Sequence, residues 1–375
     1  MNRPAFLPQR STKYSGWISA AVATWLPLMA AHAQTTPEPD AETKPASSAG
    51  PSLSGHVQAG YHAELLGSGG QREQLAPLVQ YTPAGNNFVL HAAHVALTQH
   101  LGESVLATIE LDAGYDASKT SSYPFQNSFF DVQEAYASYV RGPFTLTAGK
   151  FTSYMGIEYI EGPLNANVTR GYSYNLAEPN THTGVKLHYA HGALDLGLGV
   201  VNGWDTLVDN NGDKTIIWRF ALTPSESFTI NLNGTFGSET ENDSSSKRLS
   251  LDLDGEWALS ERWVLRFQAN MGWDGIGGAP GIVRWYVCGL QPLYTGEVFT
   301  FGARAELFGD PDGARARLGN TRLINIALTP GVILTQSLRA RLEARTDYAT
   351  RRVFGKESAL RHALVSLAVS AEYTF

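Results

Sequence analysis

The sequence predicts an all-β chain: a transmembrane, antiparallel up-and-down β-barrel of about 16 strands (range 12 to 18), preceded by a signal peptide and a disordered leader. Three observations predict it. Segments of about ten residues alternate apolar and polar side chains from Ser54 to Phe375. The composition carries 37 Gly, 16 Tyr and 16 Phe with only 17% charged residues, which suits strands, turns and interfacial aromatics. No stretch after the N-terminal region is long and apolar enough to cross a bilayer as a helix, so any membrane crossing must be made by strands.

At the N-terminus, Arg3, Arg10 and Lys13 precede an apolar run from Trp17 to Ala30, interrupted by Thr24 and Pro27, and then Ala31, His32 and Ala33. A basic start, a short oily run and a small-x-small triplet predict a signal peptide over 1–33, cleaved before Gln34. The alternative is an uncleaved anchor, but the run is shorter than the ~20 residues a span needs. Residues 34–53 are rich in Pro, Ala, Ser, Thr and acids and lack aromatics, the composition of a disordered periplasmic leader. The barrel is expected over 54–375.

The formal charge is −7, and loss of 1–33 would remove three cations and no acid, giving −7 − 3 = −10. Such acidity argues against nucleic-acid binding. The single Cys288 excludes an intramolecular disulfide, and its simplest use is as a small packing residue in a strand.

Strands are expected at 54–65, 87–98, 104–115, 129–140, 143–151, 181–190, 193–202, 213–223, 227–238, 247–258, 262–273, 283–293, 297–308, 320–330, 337–348 and 361–375. Short joins fall on one side of the barrel and longer ones on the other, and an even count returns the chain to its starting side. In the eleventh strand Trp263, Leu265, Phe267, Ala269, Met271 and Trp273 share one face, with Arg266, Gln268 and Asn270 between them. Ten residues at ~3.3 Å each, tilted about 40°, project to ~25 Å, the height of an outer-membrane apolar belt. Trp263 and Trp273 are therefore expected in opposite interfacial girdles, with Tyr373 and Phe375 as further girdle residues. In the fifteenth, Arg339, Arg341, Glu343, Arg345 and Asp347 share one face, and burying that row dry would cost several kcal/mol per unpaired charge. A watery lumen accommodates it.

The last strand ends on Phe375, with Tyr373, Ala371, Val369, Leu367, Val365 and Ala363 alternating behind it. That ending looks like the C-terminal signal of bacterial outer-membrane barrels, which implies recognition of Phe375 by the barrel-assembly machinery. The longest connection, 152–180, resembles the porin loop that folds back into the lumen, and its Glu158, Glu161, Asn165, Asn167 and Arg170 are candidate constriction residues. Arg219, Arg266, Arg304, Arg339, Arg341, Glu343 and Arg345 are candidates for the lumen wall. With Glu158 and Glu161 facing the arginines across a gap, a transverse field would orient dipolar solutes.

Around that loop, Gly149-Lys150-Phe151, Asn165-Ala166-Asn167-Val168-Thr169-Arg170, His182-Thr183-Gly184, Val201-Asn202-Gly203-Trp204-Asp205 and Asp209-Asn210-Asn211 resemble the OmpL-like putative β-barrel porin family of Gram-negative bacteria. The match is close over about 130–215 and looser at Arg304, Glu306 and Asp310-Pro311-Asp312-Gly313. The resemblance implies an outer-membrane porin with outer-membrane lipid or lipopolysaccharide around it; the polar inward rows and the long loop point to passive passage of small hydrophilic solutes, and analogy with sixteen-stranded porins points to a homotrimer. The resemblance names no solute.

Four other readings stand beside it. Asn202-Gly203 should make a sharp turn that places Trp204 at the outer interface. Asp205, Asp209, Asn211 and Asp213 have the oxygen-rich look of a cation loop but lack the closing bidentate Glu, so a hydrated turn is preferred and no metal or other cofactor is expected. His91 and His94 lie an odd number of residues apart and should point to opposite faces of a strand, so they should not share a metal. No nucleophile turn is present, so the chain is not read as an enzyme. The alternatives are a non-conducting barrel serving as adhesin, receptor or structural protein, or a barrel hydrolase.

Overall fold

A computed structural model of the chain describes residues 50–67, 78, 80–83, 85–278 and 281–375. The expected signal peptide, its cleavage site and nearly all of the leader lie outside the described residues. Sixteen strands form one closed antiparallel barrel in which each pairs with its chain neighbours and β1 pairs with β16. They are β1 Ser52–Leu66, β2 Asn87–Leu101, β3 Val105–Ala113, β4 Phe130–Arg141, β5 Phe144–Thr152, β6 Thr181–His191, β7 Leu194–Val201 and β8 Thr215–Ser225. Then come β9 Phe228–Thr240, β10 Asp243–Ala258, β11 Trp263–Ile276, β12 Val283–Thr295, β13 Phe299–Asp310, β14 Thr321–Ile333, β15 Leu338–Ala349 and β16 Ala363–Thr374. The first strand thus begins at Ser52, two residues inside the segment expected to be leader. Among the described residues no helix is long and apolar enough to cross a membrane.

The alternation does the sorting. Along β15, Leu342 and Ala344 are exposed on the outside while Arg341, Glu343, Arg345 and Asp347 are buried inside. The same parity leaves Leu97, Ile109, Leu146, Leu187, Leu198, Phe220, Leu232, Leu253, Met271, Leu290, Ile326, Leu342 and Val369 exposed around the whole circumference. A continuous oily band of that size fits hydrocarbon, because contiguous apolar surface in water is costly. Cys288, expected as a small packing residue in a strand, sits in β12 on this outer face and is exposed.

Aromatic side chains ring the barrel end that carries the short turns. Phe144 meets Tyr189, Trp263 meets Tyr294 and Phe228 meets Trp257, at ring-centre distances of 5.2, 5.2 and 6.3 Å. Tyr373 and Phe375 stack at the same end, 6.2 Å apart. Trp273 faces outward near the opposite end of the strand that Trp263 begins.

Of the register shifts between strands, two add a buried residue to the interior. In β2 the register against β1 shifts between the Gln58–Ala92 and Ala59–Leu90 pairs, leaving His91 as an extra, bulged residue. The bulge turns His91 to the same side as His94, and both are buried within the barrel, contrary to the opposite faces expected. In β4 a matching shift against β3 leaves Gln133 as the extra residue, also buried inside.

Candidate functional site

The candidate site is the interior, and the segment between β5 and β6 builds most of it. Ser153 N donates to Asn180 O at 3.0 Å, closing the neck where the segment leaves and rejoins the sheet. From there it crosses the interior, because its partners lie on the far strands as well as on β1 and β4. Gly156 N donates to Asp252 of β10 (2.9 Å), and Gln268 of β11 donates to Glu178 (2.7 Å). Asn167 donates to Thr329 of β14 (2.8 Å), and Gln133 of β4 donates to Glu161 (2.6 Å). Two glycines of the segment permit close approaches to wall side chains. A Cβ on Gly162 would lie 1.8 Å from Gln58 Oε1 of β1, and one on Gly171 would lie 2.3 Å from Glu306 Oε2 of β13.

Wall carboxylates hold the segment by its amide groups. Glu343 accepts from Val168 N (2.6 Å), Thr169 N (3.1 Å) and Thr169 Oγ1 (2.5 Å), and Glu306 accepts from Tyr172 N (2.6 Å) and Ser173 N (3.1 Å). The wall arginines hold its carbonyls. Arg339 donates to Pro163 O (2.7 Å), Arg341 to Asn165 O (2.8 Å) and Asn167 O (3.2 Å), Arg345 to Arg170 O (2.8 Å), and Arg304 to Thr169 O (2.7 Å). Each of these arginines also has a side-chain partner: Arg339 and Arg341 share Glu372, Arg345 pairs with Asp347 at 2.7 Å, and Arg304 donates to Asn325 (2.7 Å) and Glu158 (2.8 Å). Buried cations here are neutralised by carboxylates and capped by carbonyls, the condition under which burial is tolerable.

The sequence-predicted residues are therefore arranged differently from the expected acid row facing a base row across a gap. Glu158 touches Arg304 directly and also accepts from Gln291 (3.0 Å) and Gly171 N (2.6 Å). Arg170 stays within its own segment, donating to Tyr159 O (2.9 Å) and Ile160 O (2.7 Å) beneath the Tyr81 ring. Asn165 folds back on Tyr159 N and O, at 2.8 Å each. Arg266 pairs with Glu256 of β10 (3.1 Å) and lies over the Tyr159 ring, while Arg219 pairs with Asp195 of β7 (3.1 Å) and donates to Asn231 (3.1 Å). The reason is chain geometry: a long insertion reaches its opposing wall, so partners expected across water end in contact.

Trp204 does not anchor at the outer interface. It is buried, edge-on to Trp285 at 6.3 Å, donates from Nε1 to Thr235 (3.0 Å), and lies under the Arg248 and Arg315 guanidinium groups. The preceding Gly203 has φ +143°, and this backbone turn carries the indole inward rather than out to lipid.

The oxygen-rich segment after Trp204 spends its carboxylates separately. Asp205 accepts from Asn180 N and Thr181 N (2.9 Å each), Asp209 from Asn211 N (2.9 Å), Gly212 N (2.8 Å) and Lys214, and Asp213 from Lys247. Burial pushes the Asp205 carboxyl up to about 6 against the opposing pull of its two amide donors. Among the described residues no three His, Cys, Asp or Glu side chains are placed to hold a metal ion.

Sequence reasoning missed the acidic wall. On the inner face of β3 and β4, Glu110 stands opposite Glu134 and Asp112 opposite Asp131. Their alternation was legible, but pairing of acid with acid emerges only from the register.

The chain matches the model of the family described as "Putative beta-barrel porin-2, OmpL-like" over residues 51–375, well beyond the 130–215 stretch that carried the close resemblance. No curated protein sequence matches it. Among solved structures it is similar to the outer membrane channel DcaP of Acinetobacter baumannii, with a TM-score of 0.61, 13% identity, and coverage of 87% of this chain and 97% of that one. It is also similar to the anion-selective porin from Comamonas acidovorans (TM-score 0.59, 12% identity, 88% and 100% covered). A third is the trimer form of the Vibrio cholerae outer membrane protein OmpT (TM-score 0.58, 10% identity, 87% and 99% covered). At such identities these likenesses speak for the fold. The match over the whole barrel decides the family: this chain belongs to the OmpL-like β-barrel porins and is an outer-membrane porin of Gram-negative type.

Proposed function

We propose that the barrel is a passive diffusion channel for small hydrophilic solutes, in which the inserted segment 152–180 sets the bore and the charged inner wall sets selectivity. One observation carries the reading: the segment is bonded from inside to strands around the ring, on a wall whose inward positions are mainly polar, with an apolar cluster about Trp285, Phe308 and Leu323. Passage then requires no conformational cycle and no catalysis, and the barrel works as a pore rather than an enzyme. Solutes that exchange water for wall hydrogen bonds cross, and apolar ones are disfavoured. Outer-membrane lipid or lipopolysaccharide surrounds the oily band, Phe375 presents the chain to the assembly machinery, and 1–33 exports it. A homotrimer is part of the proposal, supported by the trimer form of the V. cholerae neighbour.

Purified protein in a planar bilayer should give discrete steps of ohmic conductance. A correctly folded barrel that never conducts would overturn the channel reading. Cross-linking in native outer membranes should yield a band at three times the monomer mass, and a monomer alone would remove the trimer from the proposal.

A further inference from the structure

The acid-against-acid pairs on β3 and β4 are only partly compensated. Like charges directly opposite on neighbouring strands destabilise a sheet. Two of the four are answered: Asp131 accepts from Lys150 at 3.1 Å, and Glu134 accepts from Thr152 N and Oγ1 at 2.5 Å each. The other two face a different situation. Among the described residues no basic group comes closer to Glu110 than His94 Nε2, at 3.9 Å, outside hydrogen-bond reach. Asp112 is 2% exposed, yet its Oδ1 has no hydrogen-bond partner among the described residues, and neither has Nδ1 of His94, its direct cross-strand neighbour. A third carboxylate joins them from the inserted segment, since bulged Gln133 on β4 draws Glu161 to this wall at 2.6 Å.

We propose that Glu110, Asp112 and Glu161 form a station for an organic cation, an alkylammonium or guanidinium solute, on the inner wall of β3 and β4. The donor set decides the ligand class. Unanswered acceptors call for several N–H donors on one positive group, and an ammonium supplies three and a guanidinium five. A bare metal ion fits less well, because it needs three ligand atoms converging within ~2.6 Å, and no three candidate side chains among the described residues are so placed. On the opposite wall the arginines are already spent on Glu372, Asp347, Glu158 and the carbonyls of the inserted segment, and on the near side the Lys186 ammonium of β6 lies over the Phe151 and Tyr154 rings, 4.0 and 5.0 Å from their centres. The station rests on the channel reading, since a solute must enter the bore to reach it, and it adds a preference for cationic solutes to that reading.

The test is calorimetric titration of the folded, full-length barrel in detergent with 1,4-diaminobutane, against 1,4-butanediol as the neutral analogue. Saturable binding of the diamine and none of the diol is expected, weakened about tenfold or more in the Glu110→Gln/Asp112→Asn double variant as two charge-assisted contacts are lost. Equal heats for diamine and diol, or unchanged affinity in the double variant, would overturn the station. Should the double variant fail to fold, Glu161→Gln carries the test, since it alters the inserted segment and not the sheet, and a weakening of about threefold or more supports the station while unchanged binding overturns it. Potassium chloride conductance, measured on the same preparation, reads the channel separately. Silent bilayers with intact diamine binding would remove the channel and keep the station, and the converse would do the reverse.

Discussion

Glu158 Oε1 accepts a hydrogen bond from Arg304 Nη1 at 2.8 Å, joining the inserted segment to β13 through a buried ion pair. Removing one partner of such a pair costs more than the pair contributes, because a charge stays behind in a poorly solvated place. Arg304→Ala should lower unfolding stability by about 3 kcal/mol in a urea titration. Single-channel recordings of the same variant should show larger, noisier openings as the segment loosens. Conductance and stability both equal to the parent would contradict the tethering role.

Gly302 on β13 makes a tight backbone-to-backbone approach of the wall to the segment, since a Cβ there would lie 2.0 Å from the Ala166 carbonyl oxygen. Backbone meets backbone at this point, so no flexible side chain can yield. Gly302→Val should displace the segment around Ala166, with a stability loss of about 1–3 kcal/mol typical of overpacking. Limited proteolysis should then cut between 160 and 170 faster than in the parent. An unchanged digestion pattern would count against it.

Leu342 lies between Arg341 and Glu343 on β15 but faces outward and is 47% exposed. If that face meets hydrocarbon, Leu342→Arg should cost about 2–4 kcal/mol in lipid, the range for a cation near the bilayer midplane. Leu342→Ala should cost less than the arginine change. A cost below about 1 kcal/mol for arginine would mean that this face is not in lipid.

Asp205 gives a pH dependence with a definite sign. Its folded carboxyl is raised to about 6, above the ordinary aspartate value of ~3.9, so the folded state holds the proton more tightly. Stability therefore falls as pH rises from about 4 to 6 and levels off above, by about 3 kcal/mol. Asp205→Asn keeps an acceptor for the Asn180 and Thr181 amides and should remove this part of the slope. A thermal-unfolding pH profile identical in variant and parent would refute the assignment.

Most of the barrel was readable because its wall has a period of two: each strand had only to be oily on one side, and the turns supplied the punctuation. The site was readable in composition and not in pairing. Arg341 and Glu343 were visible as inward charges, but that Arg341 shares Glu372 with Arg339 depends on the register between β15 and β16. His91 went astray because a single bulged residue reverses parity, and nothing in its neighbours marks the bulge. What His91 does there was equally hidden: it joins His62 Nε2 and Asp116 Oδ1 at 2.8 Å each, a chain made by residues from β1, β2 and the connection after β3. Trp204 misled because an indole after a turn suits an interface as readily as an interior cluster, and only Trp285 from β12 tells them apart.

The ring is fastened where Gly55 and Phe375 exchange backbone hydrogen bonds at 3.1 Å, uniting the beginning and the finish of the sheet. A chain interrupted anywhere before its final strand would present two raw edges and could never become a sealed cylinder. Nonsense mutations late in the gene should thus be as damaging as early ones, yielding sticky intermediates for periplasmic proteases rather than slightly shortened pores.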